Sequence, residues 1–376
     1  MRRSPLAIGL LAATLALAFQ ALTVRYNYGG DWTALFWTGA RWTQPAALRT
    51  PYQFQNSWGY DGQFYRLIAH DPLLRRSFAE YIDDPQYRYS RILVPGLAYV
   101  LALGDDRFIN YAYIAVILGS IFAGSAWLTM LAKQRDWPPW TGLLFLLTPA
   151  TLVGIDRLTI DVALAAFCVA FVALKPGSAG WYAMLACAAL SRETGLLLIG
   201  AACITTVRER RWRDTAATAL TAVPVALWTV WVITKTTPDP VHRLSLIPLS
   251  GFVTRLTHPS QYSLSPLIAA ITEALDYGTL AGVAIALWCL WRLRTQWTAR
   301  PELLTSAIPV LFVNLPDVWT VAHAFGRTMT PFWLLIAIRG AESRMWLAIV
   351  PIALMDIRII WQLGPQLMGI LRGLVT

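Results

Sequence analysis

The sequence has few charges for its length. Only 14% of its 376 residues are Asp, Glu, Lys or Arg and 56% are hydrophobic, whereas soluble domains carry about 25% charged residues. A soluble protein of this size needs more polar residues to cover its surface, so the excess apolar residues must face lipid. Eighteen tryptophans and fourteen tyrosines agree with this, because amphipathic rings favour the membrane–water interface. The composition predicts an integral membrane protein.

Other features are scarce or missing, and each absence narrows the function. The four cysteines lie inside apolar segments without disulfide or metal-ligand spacing, so they are interpreted as small buried hydrophobes. The histidines form no H-x-x-x-H or H-E-x-x-H pattern, which leaves a zinc site without support. There is no P-loop, no dinucleotide glycine fingerprint and no G-x-S-x-G nucleophile turn. These absences disfavour a nucleotide-sugar donor on the cytoplasmic side.

Basic residues exceed acidic ones by 31 to 21, and 28 of them are arginine. Such a balance can signal nucleic-acid binding, but these charges form short clusters between apolar runs, as in the cytoplasmic loops of membrane proteins. We therefore expect no nucleic-acid partner. The arginine bias is typical of a GC-rich bacterial gene and favours a bacterial plasma membrane. The predicted cytoplasmic clusters are Lys133 with Arg135, Arg208 to Arg213, Arg292 to Arg300, and Arg339 with Arg344.

The apolar segments predict an all-α polytopic membrane protein of about nine to eleven transmembrane helices in a single domain, residues 1–376. Residues 4–24 are uncharged and follow Arg2 and Arg3, which predicts an uncleaved first helix with a cytoplasmic amino terminus. Residues 91–104 are about 21 Å long as a helix, against a bilayer core of about 30 Å, and are interpreted as an interfacial or partial span. The further spans are 108–131, 139–155, 158–175, 180–206, 214–234, 277–292, 302–320, 328–339 and 345–362.

One predicted span does not fit the alternation of sides. With every basic cluster in the cytoplasm, residues 180–206 enter and leave the membrane on the same side. The charged pair Arg192-Glu193 lies in the middle of this segment. Whether 180–206 is one span or a re-entrant pair of half-helices stays open, and cysteine accessibility of positions 207–213 would settle it.

The longest polar stretch follows the first helix. On this topology the first outer loop covers residues 25–107; loops this long are generally functional or disordered, and its aromatic content argues against disorder. An aspartate between glycines and aromatic residues is unusual for a mere connector, although capping of short helices is the alternative role, above all for Asp31. The informative runs are Gly59-Tyr60-Asp61-Gly62-Gln63-Phe64-Tyr65 and Asp84-Pro85-Gln86-Tyr87-Arg88-Tyr89-Ser90-Arg91.

These runs carry a family resemblance. One helix, then a long outer loop with an early aspartate, then many helices is the layout of GT-C glycosyltransferases, membrane enzymes that use polyprenyl-phosphate-linked sugars. The run YDGQFYRLIAHDP, with YRYSRILVP after it, resembles the first-loop signature of bacterial members tied to cell-surface glycopolymers. LSRETGLLL at 190–198 is similar to a further motif of the group. The resemblance implies a GT-C-like bundle and a hexosyltransferase with its active site in the outer loop.

The resemblance also implies a catalytic aspartate in this loop, with Asp61 as the first candidate and Asp31 as the second. A polyprenyl phosphate leaves as a stable anion, whereas glycosidases need two carboxylates because they expel an alkoxide-like oxygen. One carboxylate can therefore serve as the base that removes the acceptor proton during an inverting attack. No cofactor is expected, and a divalent metal held by Asp31 and Asp61 stays open.

The departing phosphate requires cationic donors, and arginine offers a bidentate fork. Arg88 and Arg91 are three residues apart and would share one face of a helix at the membrane surface. A charge in an apolar segment, such as Arg192, costs roughly 2.5–3.5 kcal/mol on insertion scales and needs a reason; a snorkelling side chain or a structural ion pair is the alternative. The predicted substrate-binding residues are Tyr60, Gln63, Tyr65, Arg88, Arg91, Arg192, Glu193 and Arg327.

Asp156, Arg157 and Asp161 lie at a predicted outer turn between two short spans. Asp156 and Arg157 are interpreted as a solvated interface pair. Asp161 follows Arg157 by four residues and is interpreted as its partner. No catalytic role is assigned to them.

Two alternatives belong to other functional classes. A flippase or transporter for lipid-linked glycans should place charges along a path across several helices, but the predicted intramembrane charges are few (Arg192, Glu193, Asp356 and Arg358), and no internal repeat is evident. A non-catalytic subunit of an envelope assembly complex should leave Asp61 remote from every candidate arginine. The expected partners are membrane lipids, a polyprenyl-phosphate sugar, and a glycan, lipid or protein acceptor.

Overall fold

The computed structural model describes residues 4–237, 244–314 and 316–375, and their regular structure is almost entirely helical. Among these residues the only strands are β1 (Thr38–Gly39) and β2 (Gln53–Phe54), which pair in parallel. The α-helices are α1 (Pro5–Asn27), α2 (Asp61–His70), α3 (Pro85–Tyr89), α4 (Leu93–Leu101), α5 (Asp106–Gln134), α6 (Pro149–Arg157), α7 (Asp161–Ala173), α8 (Ala179–Ser191), α9 (Leu196–Arg208), α10 (Trp212–Leu220), α11 (Val223–Lys235), α12 (Ser250–Thr257), α13 (Pro266–Arg292), α14 (Glu302–Phe312), α15 (Pro316–Thr320), α16 (Ala322–Thr328), α17 (Thr330–Glu342), α18 (Val350–Gln362) and α19 (Gly364–Val375). Shorter 3₁₀ helices cover Trp32–Phe36, Phe78–Tyr81, Pro139–Leu147, Glu193–Gly195, Arg294–Gln296 and Trp346–Ile349.

Length and composition identify the helices that can cross a membrane. Within the described residues four are long and apolar enough: α1, α5, the continuous pair α10–α11, and α13. Two bent pairs, Pro139–Arg157 and Trp346–Val375, raise the number to six if each is one span. The chain is thus an all-helical polytopic membrane protein. The total of nine to eleven spans depends on helices of 11 to 13 residues, which reach only about 20 Å across a core of about 30 Å.

Several predicted span boundaries are wrong, and prolines explain two of them. Span 139–155 is bent by 59° because Pro149 lacks an N–H and holds Thr148 in extended backbone. Span 302–320 ends as a helix at Phe312, and Pro316 begins a separate short helix. Two helical segments were not expected: α13 starts at Pro266, well before the predicted span 277–292, and α19 follows the last predicted span.

Segment 180–206 is broken where its charges lie. Helix α8 ends at Ser191, Arg192 has extended backbone, and α9 begins at Leu196. Gly195 is required in the break, because a Cβ atom there would lie 2.1 Å from the Ala188 carbonyl oxygen. The two half-helices are therefore present, and the break displays Arg192 and its neighbour at helix ends rather than within a continuous apolar surface.

The bundle has two hydrophobic cores that meet at the outer segment. One joins the inner faces of α1, α5 and α7 with α2 and buries Tyr65 and Phe36. The other joins α13, α14, α16, α17 and α18, and Tyr60 packs against it. Helix α2 thus lies at the junction of both cores, where side chains far apart in the sequence come together.

Candidate active site

Asp61 is the first residue of α2, and the glycines on both sides of it determine its position. Gly59 has a φ of +81°, in the left-handed region that favours glycine, and a Cβ atom there would collide with Gln63. At Gly62 a Cβ atom would lie 2.4 Å from the Arg157 carbonyl oxygen, so α2 packs directly on the end of α6. These two close approaches bring the Asp61 carboxylate against residues from elsewhere in the chain.

The Asp61 carboxylate forms ion pairs with two arginines. Its Oδ1 lies 3.1 Å from Arg88 Nη1, and its Oδ2 accepts a hydrogen bond from Arg327 Nη2. Burial by itself raises the pKa of the Asp61 carboxyl, but the charges of Arg327 and then Arg88 hold that pKa well below its usual range. The group is therefore ionised at neutral pH, although its side chain is only 17% exposed.

Arg88 and Arg91 line one cavity, but a turn places them there instead of a helix face. Helix α3 ends at Tyr89, so the expected sharing of a helical face by the two arginines is wrong. Arg88 is fixed on its other side by Asp83, through hydrogen bonds of 2.9 and 2.7 Å. Asp83 and Asp61 thus hold the Arg88 guanidinium between them.

Arg91 connects the outer segment to the break between α8 and α9. It forms two hydrogen bonds of 2.8 Å with Glu193 and donates a third, also 2.8 Å long, to the Tyr65 hydroxyl. Its guanidinium carbon lies 3.8 Å from the centre of the Tyr87 ring. Tyr65 and Glu193 therefore support Arg91 and do not themselves line the cavity.

Arg192 and Arg327 share a carboxylate, Asp161 in the first turn of α7. Both form ion pairs with it, Arg327 at 2.6 Å. Arg327 also donates a hydrogen bond of 2.9 Å to the Tyr60 hydroxyl. The Nε atom of Arg192 lies 3.6 Å from Glu193 Oε1 and has no hydrogen-bond partner among the described residues. Arg192 therefore lies between two carboxylates, Asp161 and Glu193.

The pair Asp156–Arg157 is buried, so its interpretation as a solvated pair is wrong. Its two side chains lie 3.0 Å apart with 4% and 8% exposure, and Arg157 stacks on Trp37, 4.1 Å from the ring centre. Gln366 of the unexpected helix α19 covers the turn and donates to Asp156 at 3.1 Å. The expected pairing of Arg157 with Asp161 is also wrong, because Asp161 faces Arg192 and Arg327.

Asp61 and the four arginines Arg88, Arg91, Arg192 and Arg327 line one cavity of about 580 Å³, a volume typical of small-molecule sites. Seven of the ten predicted site residues line it: Tyr60, Asp61, Gln63, Arg88, Arg91, Arg192 and Arg327. The rest of its wall was not predicted and consists of Trp42, Trp58, Gly59, Phe64, Asp83, Asp84, Tyr87, Val318, Val321, Ala324 and Thr328.

Asp31 does not line this cavity. Its Oδ1 accepts hydrogen bonds from the backbone N–H and the hydroxyl of Thr33, at 2.9 and 2.7 Å, and so caps the helix Trp32–Phe36. The structure thus gives Asp31 the capping role that the sequence left as its alternative. Among the described residues no group of three or more His, Cys, Asp or Glu side chains is arranged to hold a metal ion.

Each cavity arginine is already paired with a carboxylate, which determines what a ligand must do. Buried charges are stable only when they are paired, and each cavity arginine has a carboxylate close by. An anionic ligand must therefore compete with these carboxylates for the arginine donors. The four arginines Arg88, Arg91, Arg192 and Arg327 face the four carboxylates Asp61, Asp83, Asp161 and Glu193.

Two residues near the cavity that were not predicted as site residues, Asp161 and Asp83, have sequence features that could have identified them. Asp161 is a carboxylate at the start of an apolar helix, where a charge without a partner is costly. Asp83 precedes Arg88 in one polar run. Trp58 carries no such signal, because the surrounding loop is aromatic throughout.

No protein-family model matches this sequence, and no curated protein or solved structure is significantly similar to it. The resemblance to GT-C enzymes therefore stays a prediction based on the quoted motifs. The chemistry proposed for the cavity therefore rests on its own side chains.

Proposed function

We propose that this protein is an inverting membrane glycosyltransferase with a GT-C-like bundle of nine to eleven transmembrane helices. It moves a sugar from a polyprenyl-phosphate donor to an acceptor of the cell envelope. It lies in the bacterial inner membrane with a cytoplasmic amino terminus, and the cavity opens on the outer face. The first outer loop, residues 25–107, supplies Asp61 and two of the four arginines.

One observation supports this proposal most strongly. The Asp61 carboxylate lies between Arg88 and Arg327 in the wall of a cavity that Arg91 and Arg192 also line. A transferase with a phosphate leaving group needs a base beside cationic donors. A non-catalytic subunit has no such requirement, and for it we expected Asp61 to be remote from the arginines, whereas Arg88 is 3.1 Å away.

The proposed reaction needs one carboxylate as base. The acceptor hydroxyl oxygen bonds to the anomeric carbon while the bond from that carbon to the phosphate oxygen breaks. Asp61 takes the hydroxyl proton, and the polyprenyl phosphate leaves with the bonding electron pair. The arginines stabilise the charge that grows on the phosphate. Because attack and departure occur on opposite faces, the anomeric configuration inverts.

Donor binding also activates Asp61. While Arg88 and Arg327 hold its pKa well below the usual range, the carboxylate is a weak base. A donor phosphate takes hydrogen bonds from the same guanidinium groups and so weakens their hold on the carboxylate. Asp61 then binds a proton more readily at the moment when the acceptor must lose one. The ion pairs of Asp61 with Arg88 and Arg327 therefore agree with the proposed role.

The test is a transfer assay with purified protein in lipid nanodiscs. Radiolabelled polyprenyl-phosphate sugars are incubated with the protein and a membrane extract that supplies acceptors, and label entering a product other than the donor is measured. We expect transfer with at least one sugar. Movement of lipid-linked sugar across proteoliposomes without any transfer would support the flippase alternative instead.

Orientation needs a separate measurement. Cysteines introduced singly between positions 25 and 90 should react with a membrane-impermeant maleimide added from outside. Reaction only from the cytosolic side would place Asp61 away from an outward-facing donor and overturn the proposal.

A further inference from the structure

Trp58 presents an exposed indole at the edge of the Asp61 cavity. The residue is 60% exposed, and it lines the cavity together with Trp42, whose ring centre lies 6.2 Å away in an edge-to-face arrangement. Large apolar side chains on protein surfaces are unfavourable in water, and exposed patches of them mark binding sites. At the edge of the cavity the indole is open to contact with a ligand that enters it.

The Gln63 side chain holds the backbone that carries Trp58 in place. The Trp58 carbonyl oxygen accepts a hydrogen bond of 2.8 Å from Gln63 Nε2, and Gln63 Oε1 accepts one of 3.1 Å from the Gly39 N–H. Gly39 and Gly59 cross so closely that a Cβ atom on either would lie within 2.6 Å of the other's backbone nitrogen. The indole is thus displayed by a loop that has little freedom to withdraw it.

The surroundings of Trp58 differ from those of lipid-facing side chains. Between residues 28 and 92, all of them described, only Trp58 and Leu73 are exposed large hydrophobic side chains. The membrane helices instead expose such side chains in dense bands, as α1 does with Leu6, Leu10, Leu11, Leu15, Leu17 and Leu22.

Several residues beside Trp58 are polar. Gln55 and Asn56 are exposed, and the Arg41 guanidinium carbon lies 5.9 Å from the indole centre. The indole thus differs from the exposed leucines of α1, because it lies beside polar groups at the rim of a polar cavity. These neighbours match a ligand that is itself polar at its edges and apolar on its faces.

We propose that Trp58 and Trp42 stack against a sugar ring of the acceptor, so that the acceptor is a glycan and not a protein side chain or a simple lipid alcohol; this inference rests on the proposed transferase function. The face of an aromatic ring is negative, and the C–H bonds on the face of a pyranose point positive hydrogens towards it. The sugar hydroxyls then hydrogen-bond to the polar wall, where the Asp83 carboxylate retains acceptor capacity. The stacked ring can thereby direct one hydroxyl towards Asp61.

The test uses nanodiscs, because sugar-headed detergents would compete for the site. Labelled protein is applied to an array of neutral oligosaccharides, and the best-bound one is titrated calorimetrically into the wild type and into W58A, W58F and W140A. Trp140 is the matched control, since it is 58% exposed but lies outside the cavity. We expect W58A to weaken binding by about fivefold to tenfold, W58F to retain most of it and W140A to leave it unchanged.

The transfer assay provides a second readout. W58A should raise the KM of the glycan acceptor by a similar factor and leave the KM of the polyprenyl-phosphate donor unchanged. Equal oligosaccharide binding by W58A and the wild type, or no binding to the array, would overturn this inference without touching the proposed reaction. Quenching of Trp58 by brominated lipids, seen as the difference between wild-type and W58A fluorescence, would identify it as a bilayer anchor and also overturn the inference. Failure of the proposed function itself would show as no transfer from any donor.

Discussion

Two clusters of buried arginines and carboxylates hold distant helices of this protein together, and they differ in access. The Asp61 cluster opens onto the large cavity with most of its members. In the Asp276 cluster, Arg255 lines a separate cavity of about 360 Å³. The Asp61 cluster consists of Asp61, Asp83, Arg88, Asp161, Arg192 and Arg327, and the Asp276 cluster of Arg255, Tyr262, Glu273, Asp276 and Arg358.

In the Asp276 cluster the central carboxylate is buried among protein donors. Asp276 is 1% exposed and accepts hydrogen bonds from Arg255 at 2.9 Å, from Arg358 at 2.6 Å and from the Tyr262 hydroxyl. Because the residue is almost completely buried, a ligand has no direct access to its carboxylate. Similar ion pairs therefore serve different purposes: the Asp276 cluster ties α12, α13 and α18 together, while the Asp61 cluster can exchange its partners for a substrate.

The largest effect that distinguishes the clusters is expected from Asp61→Asn. Loss of the base should lower kcat by about 10² to 10⁴. The fold should persist, because Arg88 keeps Asp83 and Arg327 keeps Asp161 as partners. Single-turnover transfer of radiolabelled sugar and thermal unfolding of the same preparation check both expectations.

The matched control for Asp61→Asn is Asp105→Asn. Asp105 caps α5 and pairs with the exposed Arg107, and asparagine caps helices about as well as aspartate. Its transfer rate should equal that of the wild type. A fully active Asp61→Asn enzyme would remove Asp61 from the mechanism.

A second large effect, on stability alone, is expected from Asp276→Asn. Arg358 loses its carboxylate partner while buried, and breaking a buried ion pair costs about 3–5 kcal/mol. The unfolding temperature should fall clearly, while the KM of the donor measured at low temperature stays unchanged. Glu209→Gln, which affects an exposed pair with Arg211, should cost at most about 1 kcal/mol. If Asp276→Asn impaired donor binding and left stability intact, the assigned difference between the clusters would be wrong.

The sequence predicted the Asp61 cavity better than it predicted the helices. A charge in an apolar segment is costly, so Arg192 could be selected on that ground, and Arg88 could be selected with Arg91 from the run that carries the family resemblance. Their partners could not, because pairing depends on how helices rotate and on contacts across up to 266 residues, as between Asp61 and Arg327. Local spacing paired Asp161 with Arg157, yet Asp161 forms ion pairs with Arg192 and Arg327, which line the cavity.

Hydropathy also misjudged where helices break and end. A window average does not distinguish a continuous helix from one interrupted at Pro149 or stopped at Phe312. The sequence analysis also missed α19, an amphipathic helix that follows the last predicted span and packs against α1. The contribution of Trp58 to the cavity rests on the crossing of Gly39 and Gly59, which no local pattern encodes.

A smaller effect on stability is expected when a glycine near each of the two clusters is replaced by alanine. In Gly62→Ala the new methyl group meets the Arg157 carbonyl oxygen at 2.4 Å and the Phe36 carbonyl oxygen at 2.9 Å, and such overpacking costs about 1–3 kcal/mol. Because the shift moves Asp61, transfer should fall together with stability.

Gly282→Ala is the counterpart near the Asp276 cluster. Gly282 lies on the same helix as Asp276, and its Cβ would find ordinary contact with Pro351 at 3.4 Å. Higher helix propensity then stabilises this variant by up to about 1 kcal/mol. Thermal unfolding of Gly62→Ala and Gly282→Ala measures both changes in stability. Equal stability would show that α2 can move away from α6.

The smallest effect at neutral pH is expected in the pH dependence of kcat/KM, which reports the ionisation of Asp61. Because Arg327 and Arg88 hold its pKa well below the usual range, its ion pairs contribute stability that is fully present above the unfolded value of about 3.9. That contribution is lost only as the pH falls through the still lower folded value. Asp61 should therefore stay ionised across the neutral range, and kcat/KM should show no acid limb from it there.

In Arg88→Gln one of these two cations is missing, so the pKa of Asp61 should rise towards its usual range and an acid limb should move to higher pH. Arg327 still lowers the pKa of Asp61 in this variant, and burial raises it. Arg107→Gln, which affects an exposed arginine outside the cavity, should reproduce the wild-type profile. Profiles of kcat/KM against pH for the three proteins decide the matter. Coincident profiles for wild type and Arg88→Gln would mean that Arg88 does not control the ionisation of Asp61, and that the carboxylate is held by Arg327 alone.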